Sequence, residues 1–194
     1  RTKYRAFDTD TYDPARERLF EITSAWGCSE RRHTPMPLHD GNTDEPAYFV
    51  DALKAGCRYG VIASSDDHTT LPGGISRNWG APYAGHGPSG YGNMGLAAVR
   101  AKDLTREALW DAMWNRRTYG TTLARTLVDV RIGDLEMGAE GTVGAGDAFR
   151  HERRIAVRYS STSAVGQTVT LMRNGEALAT KRFRFERDAE NGIV

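Results

Sequence analysis

The hydrophobic pattern of this chain changes its period once, near Leu123–Arg125, and that change limits the possible folds more than any other feature. Beyond it, apolar residues recur at every second position. "LVDVRIG" alternates, and "RIAVRYS" sets Ile155, Val157 and Tyr159 on one face, as a strand with one covered side requires. "TVTLMRNGEALATKRFRF" alternates around Asn174-Gly175, the strongest short-range signal for a type I′ hairpin. Residues 125–194 are therefore expected to form a small antiparallel β-sandwich.

Before the change, residues 1–124 mix helical and strand patterns. "DPARER" (13–18) has Asp13 to cap a short helix and Pro14 at its first position. "LFEIT" reads as a short buried strand. In "TDEPAYFVDALKAG", Thr43 or Asp44 caps a helix, Phe49, Ala52 and Leu53 share a face, and Gly56 ends it. "CRYGVIAS" has no polar alternation, the pattern of a strand covered on both faces. A Gly-rich stretch from about Thr69 to Gly95 is too long for a simple connector. "GLAAVRA" is a further strand, and "LTREALWDAMWNRRTYG" a second helix with Thr105 as cap and Arg116 and Arg117 at its negative end. Strand–helix–strand–helix order with buried strands points to an α/β arrangement with parallel strands.

Bulk properties remove some function classes. With a formal charge of +1, nothing global favours nucleic acid or anionic lipid, and no apolar run is long enough to span a membrane as a helix. Cys28 and Cys57 are too few for a disulfide framework and leave the compartment open. The chain opens on Arg1 without an initiator Met or a capped element, so it is expected to be a piece of a longer polypeptide.

The chemistry concentrates in "SSDDH", residues 64–68, directly after an apolar strand. Loops at the C-terminal ends of strands in α/β proteins carry active sites. Alternate residues of an extended segment point the same way, so Asp66 and His68 can share a cation while Asp67 faces elsewhere. Carboxylate oxygen with imidazole nitrogen suits zinc, manganese or iron. The alternative is a surface turn in which Asp66 caps the next segment of chain. Glu21 sits inside an apolar strand, where a carboxylate is normally paired or metal-bound; a buried salt bridge to Arg31 or Arg32 competes with that reading. His33, His39 and His86 all lie on loops and read first as solvated or hydrogen-bonded residues; His86, in "YAGHGPSGYGNMG", a stretch able to close over a substrate, is the better candidate of the three. Arg117 offers a fork for phosphate oxygens, although a cation in a last helical turn also complements the helix dipole.

Four runs, "FEITSAWGCSE", "YGVIASSDDHTTLPGG", "GLAAVRAKDLTREALWDAMWNRRTYGTT" and "GDLEMG", occur in an order that resembles the PHP family, named for polymerase and histidinol phosphatase. The resemblance covers residues 17–138, and the nearest branch carries a β-sandwich after its catalytic domain. It implies the C-terminal part of a distorted β/α barrel over residues 1–124, with two or three metal ions at strand ends and hydrolysis of a small phosphorylated substrate. It further implies Glu21, Asp66 and His68 as metal ligands and Arg117 as a group facing the phosphoryl oxygens; beside these, Asp67 is a catalytic candidate within the motif and His86, from its Gly-rich stretch, a candidate substrate contact. The family's opening His-x-His strand has no counterpart before Glu21. The resemblance thus implies an upstream half of the same protein as partner, and an incomplete site without it. The alternative is a non-catalytic interaction module with a degenerate metal site, using Lys181, Arg182 and Arg184 to dock a partner. Such charges on an outer strand also discourage edge aggregation.

Overall fold

A computed structural model describes residues 8–24, 27–36, 38, 46–66, 95–122, 125–161, 167–183, 187–188 and 192–193. Its centre is the parallel pairing of β1 (Leu19–Ser24) with β3 (Gly60–Ala63), in register Leu19↔Gly60, Phe20↔Val61, Glu21↔Ile62 and Thr23↔Ala63, with an irregularity between Glu21 and Thr23. β2 (Gly27–Cys28) folds back on the end of β1, so β1 lies between β2 and β3.

Between β2 and β3 runs α1 (Phe49–Lys54), shorter than the sequence pattern suggests. Its first position follows Tyr48, which supplies no side-chain cap. Instead, the Phe49 and Val50 amides donate to the carbonyls of Ser29 and Glu30 at 2.8 and 3.1 Å. Main-chain acceptors there satisfy donors that a capping side chain would otherwise take. The expected caps, Thr43 and Asp44, lie outside the described residues. α1 is held by Ala52 and Tyr48, both fully buried, with the Arg32 guanidinium 4.7 Å over the Tyr48 ring and bonded to both oxygens of Asp51. Phe20 packs against Phe49 and Tyr59 at 5.7 and 5.6 Å between ring centres.

β4 (Gly95–Val99) and β5 (Thr118–Thr122) pair antiparallel and are joined by α2 (Arg106–Trp114). As expected, Thr105 caps α2, its hydroxyl accepting from the Ala108 amide at 3.2 Å, and Ala112 is fully buried. "DPARER" forms a single turn rather than a helix. The Glu17 amide donates to the Asp13 carbonyl at 2.8 Å, and the Glu17 carboxylate accepts from the Asp13 amide at 3.0 Å, a closed single turn with nothing to propagate it.

After residue 125 the described strands pair antiparallel. β6 (Leu127–Ile132) lies between β7 (Leu135–Glu136) and β8 (Ile155–Ser160). β9 (Gln167–Arg173) and β10 (Glu176–Phe183) form the hairpin expected at Asn174-Gly175, both with positive φ (53° and 82°), as a type I′ turn demands. β11 (Arg187–Asp188) and β12 (Gly192–Ile193) form a last short pair.

The structure overturns the expected α/β architecture, the C-terminal part of a distorted β/α barrel followed by a β-sandwich. The described residues form five small sheets of two or three strands with two α-helices, a mostly β fold in which only the β1–β3 pairing is parallel. Two physical reasons account for this. The apolar run of β3 is half-buried except at Ala63, and an apolar run alone does not separate one covered face from two. Further, α2 returns the chain beside β4 in the opposite direction, so a helix between two strands does not here mark a parallel crossover.

Among the described residues, Tyr119, Arg100 and Glu140 help tie the strands after residue 125 to the rest. The Tyr119 hydroxyl donates to the Thr126 carbonyl (2.9 Å) and accepts from the Val128 amide (3.2 Å). Arg100 pairs with Asp129 at 2.8 Å. Glu140, in the loop after β7, is gripped by Arg58 (2.7 Å) and by the largely buried Arg116. There Gly138 has φ +85°, and a Cβ on it would meet the carbonyl carbon of Arg116 at 2.7 Å.

Candidate functional site

The C-terminal end of β3 gathers part of the site expected from the sequence. Parallel pairing sets Glu21 opposite Ile62, and its carboxylate reaches forward to Ser64, whose hydroxyl donates to Glu21 Oε1. The Asp66 amide in turn donates to Ser64 Oγ at 3.3 Å. One serine therefore links the carboxylate of one expected metal ligand to the main chain of another. Asp66 has φ +50°, a left-handed conformation that aspartate tolerates better than most residues and that recurs where function imposes local strain. Ser64 is fixed by its main chain as well, donating to the Thr23 carbonyl (3.1 Å) and accepting from the Gly95 amide (2.7 Å).

That last bond requires a close approach by β4. A Cβ on Gly95 would lie 2.6 Å from both the Ala63 Cβ and the Ser64 nitrogen, and one on Gly120 would lie 2.8 Å from the same Ala63 Cβ. Absent side chains at these positions let β4 and β5 press against the strand that delivers the site.

Glu21 departs from expectation in its environment. It is exposed rather than buried, and Arg32 is engaged with Asp51, so no buried ion pair explains it. The Ser29 hydroxyl donates to the Glu21 main-chain carbonyl at 2.8 Å, and the Ser64 hydroxyl to Oε1, while Oε2 has no partner among the described residues. Beside it, the buried Thr23 hydroxyl also lacks a partner among the described residues.

Arg117 falls elsewhere. Gly60 abuts Arg116 while Ala63 abuts Gly120, so β3 and β5 run side by side in one direction. Arg117 therefore lies near the start of β3, whereas Ser64–Asp66 leaves its far end. Its guanidinium is bonded to Asp111 on α2. The structure does not bring Arg117 to Glu21 and Asp66. Asp67, His68 and His86 lie outside the described residues. Among the described residues no three His, Cys, Asp or Glu side chains converge as a metal-holding group.

Two features carry no signal in the sequence. Ser64 stands there only as the first residue of "SSDDH", and a serine beside two acids says nothing until the register places Glu21 next to it. Tyr59 donates to Glu17 at 3.0 Å, and burial first, then this bond, push its phenol well above its ordinary range. Cys28 is buried and its thiol is likewise raised by desolvation, the opposite of what a reactive thiol requires.

The described residues form a β-rich protein in which one serine after β3 holds the Glu21 carboxylate and the Asp66 main chain. Residues 55–139 match a family described as protein of unknown function (DUF3604). Uncharacterised proteins from three chlamydiae are similar over most of the chain. That of Chlamydia pneumoniae is 30% identical over 184 residues, covering 92% of this chain and 28% of the relative. Those of Chlamydia muridarum and Chlamydia trachomatis are 29% and 27% identical, covering 89% and 96% of this chain. The chain spans 28–30% of the length of these relatives. No solved structure matches it.

Proposed function

We propose that this chain supplies part of a divalent-metal site for hydrolysis of a small phosphate ester. The observation that supports the reading is the Glu21–Ser64–Asp66 linkage, in which one serine bonds the Glu21 carboxylate and the Asp66 amide at one strand end. The donor set fits a hard or borderline cation such as zinc, manganese or iron. Glu21 is exposed, and its Oε2 is free among the described residues. Glu21 and Asp66 would hold the metal, with His68 as the further ligand that the PHP resemblance implies. A bound ion of this kind supplies a water acidified toward neutrality and a positive charge facing the phosphoryl oxygens.

The chain's own residues act as positioners. By donating to Oε1, Ser64 fixes the Glu21 carboxylate in one orientation, the role outer-shell partners play around metal ligands. The same oxygen accepts from the Asp66 amide and so sets where the second carboxylate leaves the strand. Two carboxylates are fewer donors than a closed site requires, and the remainder would come from residues 67 onward or from the further length that relatives of this chain possess.

The test is calorimetric titration of the chain with manganese and with zinc, beside Glu21→Gln and Asp66→Asn. Each substitution is expected to weaken binding by at least about 10-fold, the lower end of the loss seen when even an outer-shell partner is removed. Hydrolysis of p-nitrophenyl phosphate should track metal occupancy across pH. Binding unchanged in both variants would overturn the assignment.

A further inference from the structure

Trp110 and Trp114 stand one turn apart on α2, 61% and 40% exposed, with their rings stacked at 5.8 Å. The Arg18 guanidinium lies 5.5 Å over Trp114, and its Nε donates to the Trp114 carbonyl at 2.8 Å. With Leu19 and Met113 these rings line a groove of about 570 Å³ along β1. Arg16, Glu17 and Glu21 form its charged rim. An apolar floor of Trp and Met beside arginine, ringed by charge, has the composition of an interface centre. By contrast, Tyr48 is the largest side chain fully buried among the described residues. Two large aromatic side chains thus stand open at the groove, while a single large one is fully enclosed among the described residues.

We propose that the groove is the seat of a further stretch of the same polypeptide, of the kind that makes up the greater part of the relatives' length. The Chlamydia pneumoniae relative aligns with 92% of this chain, yet that alignment occupies 28% of the relative. A covalently tethered stretch meets the groove at high effective concentration, so the contact needs little intrinsic affinity. The extra length also supplies the buried area that a small, thin-cored unit lacks. The occupant is an apolar-faced segment whose large aliphatic or aromatic side chains fill the space between the α2 tryptophans and Leu19, with polar residues meeting the mixed-sign rim. Because Glu21 borders the groove, this segment also sets its side chains beside one of the two candidate ligands. Occupancy of the groove is nonetheless independent of any metal at Glu21.

Hydroxyl-radical footprinting with mass spectrometry reads the oxidation rate at Trp110 and Trp114 separately. The comparison is between the 194-residue chain and a chain extended to the length of its relatives. Rates are expected to be high in the shorter chain and several-fold lower in the longer one. Trp110→Glu in the extended chain should raise oxidation at Trp114 again, while leaving the melting temperature of the shorter chain unchanged. Equal, high rates in both lengths would overturn the proposal. So would protection already present in the shorter chain: concentration-dependent protection would mean a second copy, and concentration-independent protection a covering by its own residues.

Discussion

Replacing Gly95 by alanine tests whether the approach of β4 to β3 holds the site together. The new Cβ would fall 2.6 Å from the Ala63 Cβ, 2.6 Å from the Ser64 nitrogen and 2.7 Å from the Ser64 oxygen. Two of these three are main-chain atoms, which no rotamer change can move aside, so β4 must retreat. The retreat costs about 1–3 kcal/mol of overpacking strain. It also stretches the 2.7 Å bond from the Gly95 amide to the Ser64 carbonyl, worth about 1 kcal/mol. Together the loss is about 2–4 kcal/mol, or roughly 4–16 °C in melting temperature for a chain of this size. Thermal unfolding followed by circular dichroism measures it, with Gly144→Ala as control, since a Cβ there meets nothing within 4 Å. Adding Ala63→Gly removes one of the three clashes and should return part of the loss, a coupling that independent sites would not show. Metal affinity should fall with stability, because Ser64 carries both Glu21 and Asp66. A Gly95→Ala melting temperature equal to that of Gly144→Ala would refute the close approach and the support it gives the site.

Two further outcomes test how the loop after β7 is fastened. Gly138→Ala combines a left-handed backbone (φ +85°) with a Cβ 2.7 Å from the Arg116 carbonyl carbon; left-handed strain of about 1–2 kcal/mol plus the clash should lower the melting temperature by several degrees, and an unchanged value would place the loop elsewhere. The Glu140 carboxyl is held below its ordinary value of 4.5, first by its hydrogen bond to Arg116 and then by that residue's charge. A lowered folded-state value means stabilisation that is complete above about pH 4.5 and lost as pH falls through the lowered value. Glu140→Gln should therefore melt earlier than the parent chain near pH 7, and the two curves should converge toward pH 3; a gap that stays constant with pH would show that the ion pairs contribute nothing.

The parts of this fold legible in the sequence are those set by local rules. Thr105 caps α2 because a hydroxyl three residues before a free amide needs no tertiary help, and Asn174-Gly175 turns the hairpin because both positions need positive φ. The sheet architecture is not legible, because it depends on what covers each strand face. β3 reads as doubly covered, yet only Ala63 among its residues is buried. The same limit explains Glu21. From sequence, a carboxylate between Phe20 and Ile22 implies a covered site with either a paired arginine or a metal. In the structure, alternation turns it outward, and its partner is a neutral hydroxyl.

That difference changes what the site asks of its surroundings. A buried glutamate would have needed a cation for its own stability, and any arginine would have sufficed. An exposed glutamate keeps its charge in water without help, so nothing about folding obliges it to bind metal. The Glu21 carboxylate, the Asp66 amide and the Gly95 main chain all meet at Ser64, the Asp66 bond being a local turn of the serine–amide kind. Asp66 holds a left-handed φ within that cluster, at a cost that an extended strand exit would avoid. A chain that needed only to leave β3 could do so with a glycine there. An acid kept at that backbone angle, its amide on the hydroxyl that also holds Glu21, is what the proposed metal site requires, and Asp66→Gly tests it: metal affinity should fall while the melting temperature holds.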